Sequence, residues 1–355
     1  MAEVRDVVVI GGGQAGLAAG YFLRRAGADF AILDARSEPG GAWRAMWPSL
    51  RLFSPAEHNP LPGWPMPRQR GAEYPTVDHV VDYLTRYEQR YELPVHRPVH
   101  VTGVHDEGEC LAVHTDRGVW RASEVISATG TWGSPHVPSY PGQRDFTGRQ
   151  LHTASYRRPE EFRGQHVVVV GGGNSAAQIL AEVSTVADTT WVTRREPRFM
   201  PDDVDGRVLF DVATRREAAR RAGTADTGEV AALGDIVMVP AVLDARERGA
   251  LRAEPPFTHL TRHGIGWGDG TERRADAVVW CTGFRAGLQH LRPLRLRRRD
   301  GVVPTEGTRS VQEPRLHLLG YGDWTGAASA TLIGAGRTAR TAVADIVDRQ
   351  RRPAA

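Results

Sequence analysis

At roughly one to two hundred residues per domain, a chain of 355 residues has room for two or three domains and a sizeable core. Hydrophobic residues make up 41%, charged residues 25% and glycine occurs 39 times, a globular composition that excludes disordered, collagenous and membrane-embedded classes. The net charge is only +3 and every basic residue is arginine, so nucleic acid is not an expected partner and only the local placement of arginines is informative.

The first element is a strand ending in Val7–Ile10. Such apolar runs are far short of the ~20 residues of a membrane-spanning helix. No charged leader or cleavage region precedes it, which gives a cytoplasmic expectation. Gly11-Gly12-Gly13 follows, then a helix over Gln14–Arg25 that stops at Gly27. Strand, glycine turn and helix form the context of a dinucleotide fingerprint. Gly11 makes the tight bend, Gly13 lets backbone approach a pyrophosphate, and Gly16 lets helix and strand pack closely. The helix N-terminus then faces the phosphates. The next strand, Phe30–Leu33, ends at Asp34, whose carboxylate suits an unphosphorylated ribose diol.

Trp43, Met46, Trp47, Phe53 and Trp64 surround a proline-rich stretch, Pro60–Pro67. They read either as an apolar substrate mouth or as a satellite core beneath a long loop. Cys110 and Cys281 lie 171 residues apart and form neither CxxC nor a zinc pattern, so no metal or redox disulfide is expected and both read as small buried core residues. Val125–Gly130 is matched by Val278–Gly283, each a strand ending in Thr-Gly, where the chain is expected to pass between domains.

The first turn is repeated 160 residues later, as Val167–Val170 followed by Gly171-Gly172-Gly173-Asn174-Ser175-Ala176. Alanine in place of the third glycine is a tolerated variant. The same offset carries Asp34 onto Arg194, after Thr190–Thr193. Arginine there suits a ribose 2′-phosphate. At about 1.5–3 kcal/mol per charge-assisted hydrogen bond, Arg194 and Arg195 would favour NADPH over NADH by one to a few decades. The alternative is a solvated basic turn. Residues 200–260 exceed a simple connection and are read as a helical insertion, with Arg215–Arg221 on an exposed helix face. A last strand, Leu316–Leu319, leads through Gly320–Asp323 into a helix that starts across Ala327–Gly336.

The fold class expected is α/β, with two Rossmann-like dinucleotide-binding domains. The second nucleotide domain, 146–275, which suits NADPH, is inserted into an outer one formed by 1–145 and 276–355, which suits FAD or NAD. Two such sites imply hydride transfer from NADPH to a flavin. Without a cysteine pair or an iron–sulfur set, the electrons leave to an organic acceptor, a protein partner or oxygen.

Phe146-x-Gly148-x-x-x-His152-x-x-x-Tyr156, which ends 15 residues before Gly171, resembles the fingerprint of class B flavoprotein monooxygenases. With Gly40-Gly41-Ala42-Trp43, the two Thr-Gly strand ends and Gly322-Asp323, the whole chain resembles short bacterial flavin-containing monooxygenases with relaxed nicotinamide preference. The resemblance implies FAD at Gly11, Gly13, Gln14, Ala15, Gly16, Asp34, Ala35, Gly41, Trp43, Val99, Thr129, Gly130, Asp323 and Leu332. It implies NADPH, with NADH accepted, at Gly171, Gly173, Asn174, Ser175, Ala176, Arg194, Arg195, Thr282 and Gly283. NADPH would reduce FAD, oxygen would add at flavin C4a, and a soft nucleophile would take the distal oxygen. Sulfides would give sulfoxides, with amines and, by Baeyer–Villiger oxidation, ketones as further substrates.

Larger members carry an asparagine beside the flavin where Ser49–Ser54 puts Phe53, a departure that favours peroxide release. Phe53, His152 and Tyr156 are the candidate catalytic residues, although the cofactor carries the chemistry. His152 and Tyr156 would share a face if their segment is helical, and packing between domains is the alternative role for both. A homodimer is the family-level expectation. The competing functions are an NADPH oxidase, a flavin reductase serving a partner protein, and a nucleotide-sensing regulator without turnover.

Overall fold

The computed structural model describes residues 4–202, 206, 208 and 236–351. The chain forms two units, one from Met1–Arg44, Pro55–Ser134 and Ala286–Ala355, the other from Ala45–Ser54 and Pro135–Arg285. The α/β class is as expected, with a Rossmann-like parallel arrangement in each unit.

In the first unit, β1 (Val4–Ile10), β2 (Phe30–Leu33), β3 (Val95–His96) and β6 (Gly118–Ser127) run parallel around β1. Val7, Val8 and Val9 have no exposed surface, as a parallel strand covered on both faces requires. β17 (Leu316–Leu318) adds parallel to β6, while β4 (Val101–Asp106) and β5 (Leu111–Thr115) form an antiparallel extension from β6. β15 (Thr305–Glu306) and β16 (Arg309–Ser310) close the other edge. Helix α1 (Gln14–Ala26) stops where Gly27 turns left-handed at φ 72°, as expected of a glycine in that place. Helix α2 (Val77–Arg90) starts at a capping Thr76 whose hydroxyl accepts the His79 N–H at 3.3 Å.

In the second unit, β7 (Arg149–His152), β8 (His166–Val170), β9 (Asp188–Val192), β10 (Ala253–Glu254) and β14 (Ala277–Trp280) form an all-parallel sheet in the order β10-β9-β8-β14-β7. Helix α3 (Asn174–Val183) links β8 to β9, and a small antiparallel sheet is built from β11 (His259–Thr261), β12 (Gly264–Gly266) and β13 (Glu272–Arg274). Within 200–260 the described part holds α4 (Pro240–Glu247) and β10, so its last stretch joins the sheet. Arg215–Arg221 lie outside the described residues.

Two expectations are corrected. The last helix, α5 (Leu332–Arg351), begins later than Ala327, because Gly326 and Ala328 sit at positive φ, +126° and +56°, and no α-helix runs through that conformation. Cys110 is half-buried at the end of a hairpin loop and is not a core residue.

Candidate functional site

The first glycine turn is shaped by backbone crowding. Gly11 has φ +110°, and a Cβ there would stand 2.5 Å from the Ala128 carbonyl oxygen. A Cβ on Gly16 would collide with the Gly11 carbonyl. Gly13 is open apart from Gly41, whose Cα lies 3.9 Å from the place a Cβ would take. No side chain caps α1, and its first helical hydrogen bond runs from Leu17 N to Gly13 O at 2.9 Å. The amides of Gln14, Ala15 and Gly16 therefore have no helical acceptor.

Gln14 reaches outward instead. Its side-chain carbonyl accepts the Trp43 indole N–H at 2.9 Å and its amide donates to the Ala330 carbonyl at 2.7 Å. Asp34 is buried, with Oδ2 accepting from Arg97 Nε at 3.2 Å and Nη2 at 3.1 Å. Arg97 also binds Glu88, so it orients the Asp34 carboxylate from the protein side. Nothing in the sequence pattern singled out Arg97. Val99 donates its N–H to the Asp34 carbonyl at 2.8 Å, and Ala35 is exposed beside it. The Thr129 hydroxyl donates to the Gly287 carbonyl at 2.7 Å, and Gly130 O accepts from Gly287 N at 2.9 Å. Exposed Asp323 accepts the Ala328 N–H at 3.3 Å, and Leu332 is buried at the first residue of α5.

The second turn repeats this construction. Gly171 has φ +138° and a Cβ on it would collide with the Cys281 carbonyl, while nothing lies within 4 Å of a Cβ on Gly173. α3 also lacks a side-chain cap, leaving the amides of Asn174 and Ser175 without a helical acceptor, and buried Ala176 packs where the first turn has Gly16. Asn174 Oδ1 accepts the Val237 N–H at 2.8 Å, so this side chain holds the returning chain in place.

The equal offset fails by one residue at the ribose position. Gly11 N donates to Leu33 O, whereas Gly171 N donates to Val192 O. Strand register agrees, pairing Ile10 with Leu33 and Val170 with Val192. The counterpart of Asp34 is therefore the buried Thr193, and Arg194 and Arg195 come one and two residues later, both exposed. The connection through α3 is one residue shorter than the one through α1, which counting from the glycines alone does not reveal. Neither arginine has a carboxylate partner among the described residues.

The candidate catalytic residues all have structural partners. His152 ends β7 and Tyr156 follows a short 3-10 turn, so their segment is not an α-helix. His152 Nδ1 accepts the Ala154 N–H at 3.1 Å and Nε2 donates to the Gly283 carbonyl at 2.9 Å. Both nitrogens are engaged, and burial holds the ring below its usual pKa, so it is neutral. It fixes the Thr282-Gly283 strand end, where the Thr282 hydroxyl donates to the His136 carbonyl. Tyr156 is fully buried, donates to Glu182 Oε2 at 2.7 Å and stays protonated because burial and that carboxylate raise its pKa. Half-buried Phe53 packs against Met200 and Val237. Trp64 packs on Tyr83 in the first unit, and Trp47 is buried against Tyr156 in the second.

Pyridine nucleotide-disulphide oxidoreductases match residues 8–236. A flavin-containing monooxygenase from Stenotrophomonas maltophilia is 52% identical at a TM-score of 0.89, and a double variant of a flavin monooxygenase from that organism is 53% identical at 0.90. Each match covers 98% of this chain and 99% of the other. The chain is a flavin-containing monooxygenase of the pyridine nucleotide-disulphide oxidoreductase family.

An oxidoreductase of Geobacillus kaustophilus, CzcO-like, is 29% identical over 350 residues, 98% of this chain and all of that one. The monooxygenase is an NAD(P)H-dependent flavoprotein, and its residues fit two dinucleotides: each turn has a glycine whose Cβ would fill the cradle, beneath an uncapped helix N-terminus. The dithiol of the family's name is missing. Cys110 and Cys281 are free, they belong to different units, and burial pushes the Cys281 thiol up to about 12. Among the described residues no group of His, Cys, Asp and Glu could hold a metal ion, and no helix is long and apolar enough to cross a membrane.

Proposed function

We propose that this monooxygenase takes FAD at the Gly11 turn and prefers NADPH at the Gly171 turn, and that it oxygenates soft nucleophiles. Sulfides are the leading substrate class, followed by amines and ketones. The FAD domain would be the first unit, Met1–Arg44, Pro55–Ser134 and Ala286–Ala355, and the NADPH domain the second, Ala45–Ser54 and Pro135–Arg285. The observation that carries the nucleotide assignment is the contrast at the ribose positions, a buried carboxylate at Asp34 against Thr193-Arg194-Arg195.

When bound, FAD supplies a ring that accepts hydride and passes electrons to oxygen. The protein binds, orients and excludes water. The amides at the start of α1 and α3 would donate to pyrophosphate oxygens, and Asp34, held by Arg97, would accept ribose hydroxyls. Gln14 would fix Trp43 against the first turn, and Arg194 and Arg195 would pair with a 2′-phosphate. Neither His152 nor Tyr156 has a free proton acceptor, which supports a reaction that needs no side-chain base.

The test is oxygen uptake by FAD-loaded protein with NADPH, with and without an aryl methyl sulfide, assaying sulfoxide and peroxide. Sulfoxide in proportion to NADPH consumed is the expected result. Peroxide alone, unchanged by amine, ketone or sulfide, would instead favour the oxidase reading that Phe53 suggests.

A further inference from the structure

Residues 45–54 lie in sequence between two stretches of the first unit, yet they fold into the second. Trp47, Ser49 and Phe53 help to hold them there. The Trp47 ring is buried and meets Tyr156 edge-on, with centroids 5.9 Å apart. The Ser49 hydroxyl donates to Glu182 Oε1 at 2.5 Å. The Phe53 carbonyl accepts the Gly206 N–H at 2.7 Å, and the Phe53 ring packs against Met200 and Val237.

Glu182 is the joint of this arrangement. One of its oxygens holds Ser49 and the other accepts the Tyr156 hydroxyl at 2.7 Å. Tyr156 itself is immobilised, fully buried and stacked on Phe162 with ring planes 16° apart. Hydrogen bonds to a carboxylate are the stronger kind, so the exposed Ser49 is tied to a rigid core side chain through a single acid.

Glu182 lies in the last turn of α3, and Asn174 is its first residue. Asn174 grips Val237, on which Phe53 rests, at 2.8 Å. The segment is thus anchored at both ends of the helix whose N-terminus faces the second glycine turn. We propose that Glu182 is a positioning residue for the nicotinamide nucleotide: through Ser49 and Tyr156 it fixes residues 45–54 along α3, which holds Phe53 and the Met200–Val237 pair beside the Gly171 turn. The proposal rests on the assignment of NADPH to that turn. Loosening the segment would let the apolar side chains beside the turn move and water enter, without touching the glycines or the arginines that bind the nucleotide.

The experiment measures NADP⁺ binding by calorimetry, and backbone amide exchange of residues 45–54 by mass spectrometry, on FAD-loaded protein. Glu182→Ala and Ser49→Ala are each expected to weaken NADP⁺ by about threefold to tenfold, less than the full worth of a charge-assisted hydrogen bond because the effect is indirect, and to speed exchange of the segment. Glu182→Gln should restore both, since an amide can accept from one hydroxyl and donate to the other. Ser49→Ala leaves the Tyr156–Glu182 bond intact, so it reads the segment even if Glu182→Ala folds poorly. Unchanged affinity and unchanged exchange in Ser49→Ala would overturn the proposal. Wild-type protein that binds no NADP⁺ would instead remove the nucleotide assignment, while the exchange result would still decide whether Glu182 fixes the segment.

Discussion

Asp34 and Thr193 occupy the same place in the two repeats: the residue before each, Leu33 or Val192, accepts the N–H of its turn's first glycine, at 2.8 and 2.9 Å. The side chains overlie equivalent glycines, with Asp34 Oδ2 2.7 Å and Thr193 Cβ 3.7 Å from where a Cβ on Gly12 or Gly172 would lie. One backbone design therefore presents two different side chains at the position proposed to meet a ribose. A carboxylate would repel a 2′-phosphate, while a hydroxyl leaves that space neutral for the two arginines that follow.

Nucleotide preference should follow from this exchange of side chains. Replacing Arg194 and Arg195 with Gln and Ala is expected to raise KM for NADPH at least about tenfold and leave NADH nearly unchanged, the worth of one lost charge-assisted hydrogen bond. Thr193→Asp should act in the same direction by repulsion, shifting the preference toward NADH. Steady-state kinetics with both nucleotides checks each variant, and equal effects on the two would remove the 2′-phosphate assignment.

Gly171 and Gly173 of the second turn should separate folding from binding. A Cβ on Gly171 would meet backbone at φ +138°, whereas Gly173 has ordinary φ, −115°, and empty space around it. Gly171→Ala is expected to lower yield and melting temperature. Gly173→Ala should melt like the wild type and lose NADPH affinity, because its methyl group occupies only the space a pyrophosphate would take. Calorimetric titration and a thermal melt on both variants test this, and full NADPH affinity in Gly173→Ala would show that the cradle is unused.

The glycine turns were legible in the sequence because each is dictated by a local steric demand, the tight bend at Gly11 or Gly171 and the close packing at Gly16. The two-repeat α/β architecture followed from them. What escaped was set by contacts distant along the chain. Thr193 could have been found by aligning the two repeats on their strand ends, since Val192 and not Thr193 closes β9. Arg97 and Glu182 gave no such signal, because an ion pair to Asp34 and a bond to Tyr156 have no periodicity. The fingerprint located His152 and Tyr156, but their neighbours, Gly283 and Glu182, define what they do.

Asp34→Ala is expected to reduce the FAD content of the purified protein. The variant removes the acceptor of the ribose hydroxyls and leaves Arg97 with Glu88 as its remaining carboxylate partner. An unpaired buried carboxylate is not created, so the fold should survive and the loss should appear in occupancy, read as the ratio of flavin to protein absorbance. Stoichiometric FAD in the variant would show that the carboxylate is dispensable.

His290 should make the first unit acid-sensitive. It is buried, with Nε2 2.9 Å from the Ser127 hydroxyl, and burial lowers its pKa from 6.5 to about 4, with the Arg298 and His100 charges adding to the shift. The folded state therefore disfavours the charged ring that the unfolded chain accepts below pH 6.5. Stability contributed by the neutral ring is complete above pH 6.5 and falls as the pH drops toward 4, by about 1.4 kcal/mol per unit. His290→Gln keeps a hydrogen-bonding side chain without a titration. Its denaturant midpoint should fall less steeply than that of the wild type between pH 6.5 and 4.5, and parallel profiles would place the acid sensitivity on other groups.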